Sequence, residues 1–341
     1  MNYNIIELKN KKIYEIDSNF RDVDSIPRSL CCPDFLKNLS IINISGNKIT
    51  TLPNLPTNTI YLDITSNKLK KLPNIPKTLK QLKCGFNDIK KFPNIPKDSE
   101  INYIDLSNNQ LTEINGINLT MLIYFDASFN KLTDSSESHI YNLSNLETLK
   151  LVRNNFTNIK LLPKTIKLFD CTANEILKLP ENIEFCENLT DIFASKNKLT
   201  FINILSKNLE KLYISNNRIT HFPHILPKTL QILDISFNLL TNSTLPNIFS
   251  KNLKELYCIG NPIVTSKLQL QLRNCNCNCK IINILTLWDT VRINSSNQKY
   301  KGYTGTIVNI CNFGRSNTYT VAIDAIINLN VMCKEYELIK I

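Results

Sequence analysis

The sequence predicts a β-rich α/β chain: a solenoid whose strands stack into one parallel β-sheet horseshoe, followed by a small C-terminal β-barrel. Three observations carry this. An asparagine preceded by spaced apolar residues returns eleven times, prolines and lysines fill the stretches between copies, and the last sixth of the chain changes to longer alternating runs broken by glycine. The clearest copy lies in Leu72 to Pro96, LPNIPKTLKQLKCGFNDIKKFPNIP, where Leu79, Leu82 and Cys84 precede Asn87 and Ile89 in the spacing LxxLxLxxNxL. The same phrase falls at Asn47, Asn67, Asn87, Asn109, Asn130, Asn154, Asn174, Asn197, Asn217, Asn238 and Asn261, at intervals of 20, 20, 22, 21, 24, 20, 23, 20, 21 and 23 residues. A unit this short cannot bury its own apolar face. It must stack on its neighbours and share their core.

That spacing resembles the leucine-rich repeat, and the resemblance covers residues 37–262. The short copies carry LPxLPxxL connectors (Leu52, Pro53, Leu55, Pro56; Leu72, Pro73, Ile75, Pro76) and are similar to the compact repeats of some bacterial effectors and of large DNA viruses. The resemblance implies a parallel sheet along an inner curve and a protein-binding role. Within each copy, residues five and three before the asparagine are apolar and alternate with polar ones, the period of a strand with one buried face. The asparagine stands where the chain leaves that strand, so its amide can pair with backbone groups the turn leaves open. These eleven residues are read as structural.

Residues 1–36 are expected to form an N-terminal cap, either one or two strands or a degenerate repeat with Asn19 in the asparagine place. An end unit has to shield the first core layer from water. In the short copies of 37–262 the prolines favour an extended crossing of the back, because proline fixes φ and donates no hydrogen bond. Three longer intervals, ending at Asn154, Asn197 and Asn261, have Ser or Pro ahead of apolar residues at helical spacing and predict a helical turn each. Residues 263–286 form a C-terminal cap, in which SKLQLQLR (266–273) suits a helix or a strand equally.

If the apolar residues of each strand point inwards, those between them line the concave face. They include Tyr61 and Asp63, Gln81 and Lys83, Tyr103 and Asp105, Tyr124 and Asp126, Asp170, Asp191 and Phe193, Lys211 and Tyr213, Asp234, Glu255 and Tyr257. This face is aromatic and acidic although the chain carries a formal charge of +11. The lysines gather in connectors, as in Lys68, Lys70, Lys71, Lys90 and Lys91. Aromatic rings offer large contact area at low entropic loss, and aspartates pair with basic groups. The candidate partner-binding residues are therefore Tyr61, Asp63, Tyr103, Asp105, Tyr124, Asp126, Asp170, Phe193, Tyr213, Asp234 and Tyr257, facing a protein rather than phosphates.

Eleven cysteines is an odd number, and Cys84, Cys171 and Cys258 sit at core positions. No apolar run reaches the roughly 18 residues of a spanning helix, and the N-terminal stretch lacks a basic segment followed by an apolar one. A reducing, intracellular and cytoplasmic setting, the host cytoplasm if the protein is viral, is the expectation, with no membrane partner. Cys275, Cys277 and Cys279 would face one side if extended, but no histidine lies near and the spacing is not that of a structural zinc site. No metal and no cofactor are assigned.

From residue 287 to 341, strands are marked at Asp289–Ile293, Thr304–Ile310, Tyr319–Asp324 and Glu335–Ile341. The run from Asp289 to Ile293, then Lys299 to Val308, is similar to the KOW motif of ribosomal proteins and transcription elongation factors. That likeness implies that Lys299, Tyr300, Lys301 and Tyr303 form an exposed loop able to touch RNA or protein. The segment carries only two more basic than acidic residues, so nucleic acid is the lesser alternative. Neither a nucleophile elbow nor a glycine-rich phosphate loop occurs, and only 7 glycines are present. The expectation is a non-enzymatic interaction scaffold.

Overall fold

The computed structural model describes residues 4–7, 14–17, 39–115, 119–202, 204–263, 265–277, 279–282, 290–293, 304–313, 316–323, 330–334 and 338–340. Fourteen strands form one sheet in strict chain order. The first two, β1 (Asn4–Glu7) and β2 (Tyr14–Asp17), pair antiparallel, and β2 runs parallel to β3 (Leu39–Asn43). The N-terminal segment thus supplies two strands to the array. Then follow β4 (Tyr61–Asp63), β5 (Gln81–Lys83), β6 (Tyr103–Asp105), β7 (Tyr124–Asp126), β8 (Thr148–Lys150) and β9 (Leu168–Asp170). The array continues with β10 (Asp191–Phe193), β11 (Lys211–Tyr213), β12 (Ile232–Asp234), β13 (Glu255–Tyr257) and β14 (Lys280–Ile282), each parallel to the one before.

Each repeat strand is three residues long because only three separate the turn that enters it from the one that leaves. In β4 to β13 the middle residue is buried and the outer two lie in the sheet's open face. The middle residues (Leu62, Leu82, Ile104, Phe125, Leu149, Phe169, Ile192, Leu212, Leu233, Leu256) are all fully buried, as are Ile64 and Leu69, two and seven positions after Leu62. Burying each such side chain contributes about 1.5–3 kcal/mol, and the layers merge into one core running the length of the array.

The asparagine ladder explains how such short strands hold register. Asn67 donates from Nδ2 to the carbonyls of Ile64 (3.1 Å) and of Ile44 in the preceding coil (3.0 Å), while its Oδ1 accepts the Ile49 N–H (3.0 Å). Asn87, Asn109 and Asn130 repeat the pattern one coil further each time. One side chain therefore satisfies three buried backbone groups in two coils. The residue before every one of the eleven asparagines has a positive φ: Gly46 and Gly260 at 66°, and nine non-glycine residues from Ser66 to Phe237 at 50–58°. Without that left-handed step the asparagine could not turn back over the carbonyls.

The second proline of the connector starts the turn into the next strand. The carbonyls of Pro56, Pro76 and Pro96 accept the N–H groups of Thr59, Leu79 and Ser99. Two of the three longer intervals carry helical turns: a 3₁₀ turn at Asp134–Ser136 continuing into α1 (Glu137–Tyr141), and another at Ile183–Phe185. The third is corrected. Residues 241–247 form turns only, because Thr244 and Leu245 both donate to the Thr241 carbonyl and Pro246 then stops propagation.

The ambiguous SKLQLQLR segment is helical, within α2 (Thr265–Asn274), whose Leu268 and Leu272 are buried against the last layer. It leads into β14, a strand the sequence reading did not mark. Cys275, Cys277 and Cys279 are not on one extended face, because Asn276 has φ 52° and turns the chain. Cys277 is buried, and the other two are packed against the core. Among the described residues no group of three or more His, Cys, Asp or Glu side chains is arranged for a metal ion, and no helix is long and apolar enough to cross a membrane.

A second, antiparallel sheet has five strands: β15 (Thr290–Ile293), β16 (Thr304–Phe313), β17 (Ser316–Ile323), β18 (Asn330–Lys334) and β19 (Leu338–Lys340), in the order β18-β17-β16-β15-β19. Four of these overlap expected strands, and β18 was missed. Lys299, Tyr300, Lys301 and Tyr303 lie outside the described residues.

Candidate protein-binding face

The open face of the sheet carries two rows, one from the first and one from the third residue of each strand. From β4 to β13 the first row reads Tyr61, Gln81, Tyr103, Tyr124, Thr148, Leu168, Asp191, Lys211, Ile232 and Glu255, and the second Asp63, Lys83, Asp105, Asp126, Lys150, Asp170, Phe193, Tyr213, Asp234 and Tyr257. All eleven candidate residues stand in these rows. Parallel pairing in register sets equivalent residues side by side on neighbouring strands, which brings them into two groups.

The first group spans β4 to β8. Tyr103 and Tyr124 stack with ring centroids 4.3 Å apart and planes 2° from parallel. The Lys83 ammonium lies 5.4 Å from the centre of the Tyr61 ring and 5.8 Å from that of Tyr103, and Lys150 lies 5.4 Å from that of Tyr124. Stacking holds Tyr103 and Tyr124 face to face, and cation–π contact with Lys83 ties Tyr61 into the same strip. Burial, followed by the Tyr124 phenol and Asp105 for Tyr103 and by Asp126 for Tyr124, pushes both up to about 12, so the hydroxyls stay neutral. Burial draws the Lys83 ammonium down, but the Tyr61 hydroxyl and Asp63 outweigh it and the net shift is upward.

The aspartates have a role that the sequence reading missed. Oδ1 of Asp63 accepts the Thr65 N–H at 3.0 Å, and the same bond joins Asp105 to Ser107, Asp126 to Ser128, Asp170 to Thr172 and Asp234 to Ser236 at 2.9–3.0 Å. Each closes the backbone two residues on, where the strand ends. The recurrence of Asp four places before the asparagine, followed by Ser or Thr two places on, was the signal available. One carboxylate oxygen is thus committed to the fold, and Oδ2 accepts from the strand's own tyrosine at Asp63 (Tyr61 hydroxyl, 3.2 Å) and at Asp126 (Tyr124 hydroxyl, 3.5 Å). Burial raises the Asp126 carboxyl above the ordinary carboxylate range, against the hydrogen bonds from Ser128.

The second group spans β10 to β13. Phe193 and Tyr213 stack at 5.0 Å and 6°, Lys211 pairs with Asp191 at 2.9 Å, and Tyr257 donates to Glu255 at 2.8 Å. That bond, with burial, pushes Tyr257 up to about 12. Asp170 lies between the two groups. The two rows together hold seven carboxylates and three ammonium groups, each lysine flanked or paired by acid, so the face is net acidic on a basic chain.

Cys84 and Cys171 are fully buried, and burial holds their thiols far above the usual range, so they serve as core side chains. What the face presents is anchored rings beside carboxylates.

Stacked three-residue strands, a buried asparagine ladder and LxxLxLxxNxL spacing make a parallel β-solenoid of the form typical of leucine-rich repeats, and the Leucine Rich Repeat family model matches residues 208–228, around β11. The chain is 30% identical over 164 residues to Tsukushi of Gallus gallus, a match spanning 41% of this chain and 42% of that protein. Matches to the curated relatives span about half of their length or less. Among solved structures, the leucine-rich effector protein YopM from Yersinia pestis is 28% identical with a TM-score of 0.63, covering 72% of this chain and 66% of that one. A leucine-rich repeat protein of Leptospira interrogans is 26% identical with a TM-score of 0.57, covering 76% of this chain and 75% of its own.

Proposed function

We propose that the chain is a non-enzymatic scaffold that holds a protein partner against the open, concave face of its sheet. One observation carries the reading: Tyr61, Tyr103 and Tyr124, locked by stacking and by Lys83 and Lys150, form a preorganised aromatic strip beside aspartate carboxylates. Rings already fixed lose little entropy when a partner covers them. The acidic surplus favours a partner surface carrying lysine or arginine. Likeness to leucine-rich repeat proteins supports the general role, and the thiols of Cys84, Cys171 and Cys186, used as buried core side chains, support an intracellular, cytoplasmic setting, that of a host cell if the source is a virus.

The C-terminal strands support a small KOW-like β-barrel as a separate module, since residues 299–303 lie in the connection between β15 and β16. An RNA- or ribosome-associated role for that connection is the alternative. Affinity for the partner captured from the native cell separates the two. Tyr103→Ala with Tyr124→Ala should weaken it at least about tenfold, while Lys299→Glu with Lys301→Glu should leave it unchanged. The reverse pattern, with salt-dependent retention on RNA, would replace the scaffold reading with the alternative.

A further inference from the structure

On the back of the array, the residue two places before the carbonyl that opens the turn into the next strand holds a fixed register from coil to coil. In the connectors that lead to β4, β5 and β6 it is Asn54, Asn74 and Asn94, all exposed, so the fold makes no demand for an apolar side chain there. In those that lead to β11, β12 and β13 it is Ile204, Ile225 and Ile248, which are 50%, 65% and 52% exposed. The backs of these three coils are tied together: Phe201 and His221 form one parallel bridge, and Ile225 and Ile248 form the next, with the Ile248 N–H on the His224 carbonyl at 3.1 Å. The isoleucines therefore stand in one row. Beside it, Phe201, 41% exposed, and Ile204 line a groove of about 290 Å³ with Leu179 and Ile202. Two charged side chains also reach that groove, Lys178 and Glu181, and they pair with each other at 2.5 Å. Beyond it the back is uncharged. Residues 199–206, 219–227 and 240–250 include no Lys, Arg, Asp or Glu, whereas Lys71 and Lys91 occupy the register of Phe201, four places after the ladder asparagine, in earlier coils.

We propose that this apolar back joins two copies of the chain, back to back, and leaves both open sheet faces free. Charge singles out a second copy as the occupant. Each copy carries a formal charge of +11, so two copies repel wherever their lysines meet, and a neutral face is where like-charged twins can touch. An acidic or a basic partner would gain nothing from that neutrality. Shape agrees, because a row of exposed side chains beside a groove on one face is the self-complementarity that a two-fold contact needs. An axis through Ile225 sets that residue against its own mate and places Ile204 opposite the partner's Ile248. Area agrees as well. At roughly 200 Å² for a fully exposed large side chain, Phe201 and the three isoleucines expose roughly 400 Å² per copy. The apolar share of a stable interface, about 60% of roughly 800 Å² per partner, is of that size.

Sedimentation velocity on the full chain is the test. A monomer–dimer equilibrium should appear, and raising sodium chloride should strengthen it, because salt screens the repulsion between two positive chains. Ile225→Asn with Ile248→Asn installs the residue that the first three connectors already hold, so the fold stays intact while dimerisation should weaken at least about tenfold. Ile225→Glu with Ile248→Glu should abolish it even though the net positive charge falls. Ile60→Glu with Met121→Glu, the same charge change at comparably exposed side chains elsewhere, should not weaken it. A chain that stays monomeric up to roughly 100 µM would end the proposal, as would equal losses from the two glutamate pairs. Association that weakens as salt rises would assign it to ion pairs outside this face, and growth past the dimer would replace the two-fold contact with a head-to-tail one.

Discussion

Asparagine and the residue before it are the smallest units that make this fold. The nine non-glycine residues that precede an asparagine of the ladder at positive φ each hold a conformation that costs an ordinary side chain about 1–2 kcal/mol, yet the array keeps phenylalanine there three times, at 86, 129 and 237. Phe86 is 57% exposed, so little packing offsets the strain. Phe86→Asn, which tolerates the left-handed region, should raise stability by about 0.5–1 kcal/mol, whereas Phe86→Val, β-branched, should lower it by at least as much. Urea denaturation of the two variants decides, and the opposite ranking would show that the ring contributes more than its exposure suggests. At Gly260 another effect rules: a Cβ would lie 2.5 Å from the Phe237 ring, so space as well as φ requires glycine there. Sequence reading recognised the asparagines because their side chains repeat. It had no handle on the residue before them, whose side chain varies while only its φ is shared.

For the strand as an element, the aspartate that closes its exit couples stability to pH. Burial raises the folded Asp126 carboxyl above its unfolded value. A raised carboxyl binds its proton more tightly in the fold, so the fold gains from protonation at low pH. That gain is lost as pH rises from the unfolded pKa through the folded one. Asp126→Asn does not ionise and keeps an oxygen for the Ser128 N–H. Its stability relative to the parent chain should therefore improve from about pH 4 to about pH 7. Denaturation midpoints at the two pH values check this, and a gap that stays constant would mean that Lys150 fully compensates the carboxylate. The alternation of strand residues made both rows of the face legible beforehand. That Asp63, Asp105, Asp126, Asp170 and Asp234 are half-committed to the backbone was not, because the bond depends on the strand ending within two residues of the carboxyl.

Over the whole molecule, stability is a sum of coils and their interfaces, so damage at one end should spread only locally. Leu268 of α2 is 1% exposed and covers the last layer. Leu268→Asp should cost about 3 kcal/mol or more at that end. Amide hydrogen exchange should then show protection lost first in β12 to β14 while β4 to β8 remain as in the parent chain. Uniform loss along the array would mean one cooperative unit instead of a chain of neighbours.

Read alone, the sequence determined the solenoid, its eleven coils, the buried aliphatic rows and the identity of the face, since each of these follows from periodicity and a period survives any detail of packing. The state of 266–273, the turn at Asn276 that scatters the cysteines and the stacking of Tyr103 on Tyr124 were decided only in three dimensions. They depend on which side chains the stacking of coils brings within a few ångströms of one another, and residues some twenty positions apart carry no mark of that distance until the coils are laid in register.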